Sequence, residues 1–185
     1  MKATFFSLVL TSFIIAGCSE KNPTEPHDHD DHDPVTTLEA VLTPQSGDTE
    51  TRSILIRDTT LVAVRPMTEP DTLRLKIGAV YAGVINLYDE SKSPRVSLNA
   101  EIDEEAASHR FEYTVAGGIG TRISIGNLNT DPNAAVYGRT FTLTVTGGAP
   151  ATGTLRIQVF HYDDGNKSGV PETDRDVLLP VALVN

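Results

Sequence analysis

The sequence predicts an all-β fold: an antiparallel β-sandwich, immunoglobulin-like in architecture, with about nine strands and one short helix. Apolar and polar residues alternate with a period of two through most of residues 35–185. Turn clusters rich in glycine and proline, such as TGGAPATG at 146–153, separate the alternating segments. One apolar face and one polar face per strand is typical of antiparallel sheets packed around a shared core.

Each predicted strand is an alternating segment that ends at such a turn. The segment RTFTLTVTG shows the pattern most clearly, because Phe141, Leu143 and Val145 alternate with threonines. The one predicted helix is LNAEIDEEAAS at 98–108, with Asn99 as its expected N-cap and acidic residues near its positive end. The predicted strands are 36–43, 52–58, 71–78, 81–88, 109–117, 120–127, 139–147, 152–162 and 176–184.

Residues 1–17 have the layout of a secretory signal, with a positive start, an apolar run and small residues at the end. The motif IAGC at 15–18 resembles the lipobox of bacterial lipoproteins. That resemblance implies cleavage before Cys18, acylation of Cys18, and a lipid-anchored location at the cell outer membrane, because Ser19 rather than aspartate follows. Several acyl chains anchor a protein durably. The alternative is an ordinary secretory signal with a chance cysteine.

Residues 18–34 predict a disordered tether between the lipid and a single sandwich domain at 35–185. The tether is rich in proline and acidic residues and lacks large apolar side chains. It contains the heptad HDHDDHD at 27–33, which holds three of the five histidines of the chain. Imidazole and carboxylate groups bind Zn²⁺, Ni²⁺ and Cu²⁺, although a disordered segment has an ordering cost. The alternative is a solvated acidic spacer. The predicted ligands are His27, Asp28, His29, Asp30 and His32.

The composition disfavours several classes of function. The formal charge is −10, which repels nucleic acid and anionic lipid head groups and suits cations or a basic partner. Cys18 is the only cysteine, so the domain has no disulfide and must be stable through its own core. No serine lies in a nucleophile elbow, and only two histidines lie in the domain. We therefore expect no enzymatic activity.

Two histidines of the domain are candidate ligands for a second site. His109 has the same parity as the inward residues of its strand, and so has His161, so the two imidazoles meet if those strands pair antiparallel. Glu105 lies one helical turn before His109, and Asp174 and Asp176 open the last strand. Two histidines and a carboxylate suit Zn²⁺. The alternative is that each histidine is a rim residue bonded to the backbone or to water.

Five stretches resemble a family of small bacterial outer-membrane lipoproteins labelled "type 1 periplasmic binding fold superfamily protein". The label implies an α/β fold of repeated strand–helix units, whereas the alternation of these residues predicts strands and one helix, so we retain the sandwich. The resemblance also implies a place beside a TonB-dependent outer-membrane receptor and an accessory role in nutrient uptake. The stretches are VTTLEAVLTPQSG, AVYAGVINLYDESKSP, EIDEEAASHRFEY, TGTLRIQVFH and ETDRDVLLPVAL, which span most of 35–183.

Two functions are favoured from the sequence alone, and an uncharacterised hydrolase is a distant third. The first is a lipid-anchored cell-envelope protein that captures a divalent transition metal, with zinc favoured, and assists an outer-membrane transporter. The second is a structural or adhesion-type sandwich that binds a protein partner, with the histidine tract only a spacer.

Overall fold

The structure is a computed structural model that describes residues 34–57, 72–163 and 165–185. These residues belong to one compact unit, 33–185. The predicted signal peptide, Cys18 and the tether with its heptad lie outside the described residues, and so do residues 58–71 and Asp164.

Within the described residues, ten strands form two sheets and are accompanied by one short helix, which confirms the predicted all-β sandwich. The alternation seen in the sequence corresponds to alternate buried and partly exposed side chains along the strands. The elements are β1 Thr37–Ser46, β2 Arg52–Arg57, β3 Leu73–Lys76, β4 Val80–Asp89, β5 Val96–Ser97, α1 Asn99–Glu104, β6 His109–Gly117, β7 Ile123–Gly126, β8 Thr140–Val145, β9 Ala151–His161 and β10 Glu172–Val184.

The first sheet has the order β2-β1-β4-β8-β7, with the short β5 paired to the end of β4, and the second has the order β3-β10-β9-β6. Every pair is antiparallel except β3 with β10, which run parallel with Val181 opposite Leu73. The expectation of purely antiparallel sheets is therefore wrong at this edge. The reason is that β3 follows a strand of the first sheet and does not join β10 through a hairpin, so nothing forces it to run against its neighbour.

Aromatic side chains of β6 and β8, together with Tyr137 from the segment between β7 and β8, pack in and against the core. The rings of Tyr113 and Phe141 have centroids 4.5 Å apart, and Phe111 meets Tyr137 edge to face at 5.5 Å. Phe141 lies opposite Gly83 in the β4–β8 pair, and its ring occupies the space that a Cβ at Gly83 would need. A glycine is therefore required on β4 because a large ring from the neighbouring strand covers it.

The helix is shorter than predicted and is not capped by Asn99. Leu98 is the N-cap residue and makes no side-chain capping bond. The Asn99 side chain instead accepts a hydrogen bond from the Leu87 N–H at 2.9 Å, which ties the start of α1 to β4. The predicted cap is wrong because a buried strand N–H competes for the same oxygen. No helix in the described part of the chain is long and apolar enough to cross a membrane.

Replacing Gly83 with alanine tests the packing of Phe141. We expect Gly83→Ala to lower the free energy of unfolding by about 1–3 kcal/mol, because the added methyl group displaces a ring that is already packed against Tyr113. Denaturant unfolding followed by circular dichroism measures the change. The matched control is Gly126→Ala on β7, where a Cβ meets nothing within 4 Å and the expected change is within about 0.5 kcal/mol. Equal effects of the two variants would contradict this account of the core.

Candidate metal site

The beginning of β6 and the end of β9 bring two histidines together. His109 and His161 are direct partners in the antiparallel register. Their rings are stacked, with centroids 4.9 Å apart and planes inclined by 24°. The structure thus places side by side the two domain histidines that share inward parity in the sequence. Their role as metal ligands stays a prediction.

His109 is fixed by the segment that follows the helix. Its side chain is only 1% exposed, and its Nδ1 lies 3.0 Å from the main-chain oxygen of Glu105. A carbonyl oxygen can only accept, so Nδ1 carries the hydrogen and donates it. In the neutral ring the lone pair is therefore on Nε2, which is the nitrogen that can bind a metal ion.

Glu105 lies next to His109 through its main chain. The helix α1 ends at Glu104, and the Glu105 main-chain carbonyl accepts a hydrogen bond from the His109 ring. Glu105 therefore orients the ring through an atom that every residue type has. The predicted role of the Glu105 carboxylate as a metal ligand stays a prediction.

Asp174 is brought to His109 by a β-bulge. Thr173 pairs with Phe160 and Arg175 pairs with Val159, so Asp174 is an extra residue in β10 with no partner position on β9. A bulge redirects the side chain that it contains. The Asp174 Oδ2 lies 3.8 Å from the His109 Nε2, and the carboxylate is 27% exposed. The Asp174 carboxylate therefore lies on the Nε2 side of the buried imidazole.

Two other aspartates have separate roles. Asp163, which the sequence pattern does not single out, lies with its Oδ1 4.0 Å from the His161 Nδ1. The only signal for it is its position just after the strand that carries His161. Asp176, a candidate to close the site, instead accepts hydrogen bonds from the exposed Arg156 guanidinium, and these bonds lower the pKa of its carboxyl group. It does not join the histidine pair.

The site lies at the end of the sandwich where β1 begins. Thr37, the first residue of β1, pairs with Tyr88 near the end of β4. From there the chain passes through β5 and α1 directly to His109. Across residues 34–57, 72–163 and 165–185, no three His, Cys, Asp or Glu side chains are arranged as a ready metal site. The ligands of the tether heptad lie outside these residues.

A buried ion pair fixes the loop between β9 and β10. This loop connects the strand that carries His161 to the strand that carries Asp174. The Lys167 Nζ lies 2.6 Å from the Asp131 Oδ2, and the two side chains are 5% and 1% exposed. The other Asp131 oxygen accepts hydrogen bonds from the main-chain N–H groups of Asn133 and Ala135. The ion pair therefore attaches the β9–β10 loop to the segment between β7 and β8. Its loop residue, Lys167, lies between His161 and Asp174 in the sequence.

A cleft with a volume of about 550 Å³ lies beside β6. Its walls combine apolar side chains with the charged groups of Arg110, Glu112 and Lys167. The Tyr113 hydroxyl donates to the Gly138 carbonyl at 2.7 Å, and burial raises the pKa of this tyrosine well above its usual value. The cleft is a second candidate binding surface beside the histidine cluster. Its apolar lining comes from Phe111, Tyr113, Ile125, Leu128, Ala135 and Val136.

No family model, no curated protein and no solved structure matches this chain. The family resemblance and the roles that it implies therefore stay predictions.

Breaking the Asp131–Lys167 pair tests the attachment of the loop. We expect Asp131→Asn to lower the free energy of unfolding by about 3 kcal/mol, because it leaves a buried ammonium group without this carboxylate. The control is Arg156→Gln, which breaks a solvent-screened ion pair on the outer face of the second sheet and should have a much smaller effect. Chemical denaturation at neutral pH measures both, and equal losses would show that the buried pair is not special.

The same ion pair predicts a pH dependence. The hydrogen bond from Lys167, aided by the two main-chain donors, lowers the pKa of Asp131 despite its burial. The contribution of the pair to stability is then complete above the unfolded-state pKa of about 4 and is lost as the pH falls through the folded-state pKa. Stability curves from pH 7 to pH 2 should therefore converge for the wild type and Asp131→Asn in acid. Curves that remain parallel would contradict this assignment.

Proposed function

We propose that this protein is a lipid-anchored cell-envelope protein that captures a divalent transition metal, with zinc preferred, and assists an outer-membrane transporter. The observation that carries the proposal is the cluster at one end of the sandwich, where the stacked rings of His109 and His161 lie beside the Asp174 carboxylate. The heptad at 27–33 adds three imidazoles in the same chain. Imidazole nitrogen and carboxylate oxygen are the ligands that Zn²⁺ prefers when no thiolate is present.

Charge and anchoring support the same proposal. A formal charge of −10 raises the local concentration of cations around the protein. Acylation at Cys18 would keep the metal-binding groups next to the membrane in which a transporter operates. The TonB-dependent receptor enters as the proposed partner through the family resemblance alone.

A sandwich that binds a protein partner is the second candidate. The cleft beside β6 favours it, because Val136 at its edge is 43% exposed and apolar side chains form much of its wall. Single exposed apolar residues elsewhere, such as Leu178 on β10, are ordinary for a protein surface and add little. A chain that binds no metal ion in solution would favour this function.

Lipidation is tested by replacing the cysteine. We expect Cys18→Ala either to release the protein to the soluble fraction or to leave the precursor unprocessed, because the thiol that would carry the diacyl group is gone. Membrane fractionation and intact mass spectrometry of the wild type measure this. The control is Ser19→Ala, which leaves the lipobox cysteine in place and should leave the anchor intact. An unmodified wild-type terminus at any other residue would contradict the proposal.

Metal capture by the tether is tested by calorimetric titration of the full chain with zinc chloride near pH 7.5. Replacing His27, His29 and His32 together with alanine should remove one weak site, because the three imidazoles are its nitrogen ligands. The melting temperature of the metal-free domain should stay unchanged, since these residues precede the first strand.

The matched control for the tether keeps its imidazoles and removes carboxylates. It replaces Asp28, Asp30 and Asp31 with asparagine, and it should weaken zinc binding less than loss of the histidines does. A histidine variant that still binds zinc while the carboxylate variant does not would show that charge, and not imidazole ligation, attracts the ion.

The pH dependence of zinc binding is a second test of the tether site. Zinc uptake should fail as the pH falls through the range of an unperturbed histidine, about 6.5, because the ligands must be deprotonated. The absence of Zn²⁺, Ni²⁺ and Cu²⁺ binding to the wild type at micromolar concentration would defeat the proposed function.

A further inference from the structure

We infer that the domain holds one exchangeable Zn²⁺-class ion between the Nε2 of His109 and the carboxylate of Asp174, with His161 as a second nitrogen ligand. This inference rests on the proposed function and makes it specific to three side chains and to a ligand atom. It also separates a domain site from the tether heptad, which the proposed function alone does not do.

The first argument is electrostatic. Because Nδ1 of His109 donates its hydrogen to the Glu105 carbonyl, the neutral ring presents a lone pair at Nε2. A carboxylate oxygen of Asp174, which also can only accept, lies 3.8 Å away. Two acceptor atoms this close to each other are stabilised by a positive charge nearby. A divalent metal ion bound to both atoms supplies such a charge.

The second argument is the size of the gap. Zinc lies about 2.0–2.1 Å from an imidazole nitrogen and about 2.0–2.2 Å from a carboxylate oxygen, so an ion in line between the two would separate them by about 4.1 Å. The observed 3.8 Å already corresponds to a bent arrangement around such an ion. Because Asp174 is 27% exposed, its side chain can adjust toward the tetrahedral angle without disturbing the core.

The third argument concerns His161. Its ring lies nearly parallel to that of His109, and its Nδ1 faces the Asp163 carboxylate at 4.0 Å. A carboxylate beside one ring nitrogen favours a hydrogen there and leaves the other nitrogen as the ligand. The His161 side chain is 18% exposed, so it can move more than the buried His109. The two more exposed groups, His161 and Asp174, therefore complete the site around one fixed nitrogen.

The chemistry of this set restricts the ion. Two imidazoles and one carboxylate suit borderline divalent ions such as Zn²⁺, Ni²⁺ and Cu²⁺, and a thiolate that would select Cu⁺ is absent from the described residues. Three protein ligands leave a fourth position for water, as in open zinc sites. An open position and movable ligands fit an ion that is loaded and released and not a structural ion.

The test uses the full chain with the three heptad histidines replaced by alanine, titrated with zinc chloride. We expect one remaining site. Asp174→Asn should weaken it at least about tenfold, because the substitution removes the anionic ligand and keeps the shape of the side chain. Asp176→Asn is the matched control, since it removes the same charge two residues further along β10 but on the outer face, where Asp176 pairs with Arg156. Equal losses in the two variants would overturn the inference.

A second measurement does not depend on any variant at the site. Long-range proton–nitrogen NMR correlations of the imidazoles should show His109 with a hydrogen on Nδ1 only at pH 7.5, and zinc should shift its Nε2 signal. A metal-free His109 with hydrogens on both nitrogens, unchanged by zinc, would show that a proton fills the gap and would overturn the inference. If the wild type binds zinc and the chain without the heptad histidines does not, this inference fails while the proposed function stands.

Discussion

The register between β6 and β9 governs the geometry of the candidate site. Strand β9 lies between β6 and β10, so one strand sets the positions of both neighbours. At one end of the β6–β9 pair His109 faces His161, and at the other Gly117 faces Gly153. A Cβ at Gly153 would overlap the Ala116 carbonyl, so only glycine fits there. A slip of one residue would break this fit and would turn the histidine of the shifted strand away from the core.

Given this register, three further contacts arrange the candidate site. The turn from α1 into β6 places the Glu105 carbonyl against His109 and fixes which nitrogen carries the hydrogen. The bulge in β10 then directs Asp174 toward the other nitrogen. The Asp131–Lys167 pair attaches the loop that joins β9 to β10, and so limits how far these two strand ends can separate. Each step depends on backbone geometry more than on the identity of a ligand.

The candidate site depends on tertiary structure, whereas the proposed anchor depends on a short stretch of sequence. The lipobox, the heptad and the acidic composition are local features of the sequence, and their proposed roles need no tertiary structure. The domain cluster is different, because it joins a ring that is 1% exposed to an aspartate that is 27% exposed and lies on a distant strand.

Period-two alternation is enough to establish the fold class, because it leaves a chain of this length only sheets in which to bury its apolar side chains. The same alternation establishes that His109 and His161 point inward. The local pattern does not establish that these histidines face each other or that β3 runs parallel to β10. It also does not establish that Asn99 bonds to β4 and not to its own helix. Nor does it show that Asp174, and not Asp176, reaches the histidine pair. Strand order, register and a bulge arise from packing between segments that are far apart in the chain, so they appear only when the whole sandwich is assembled.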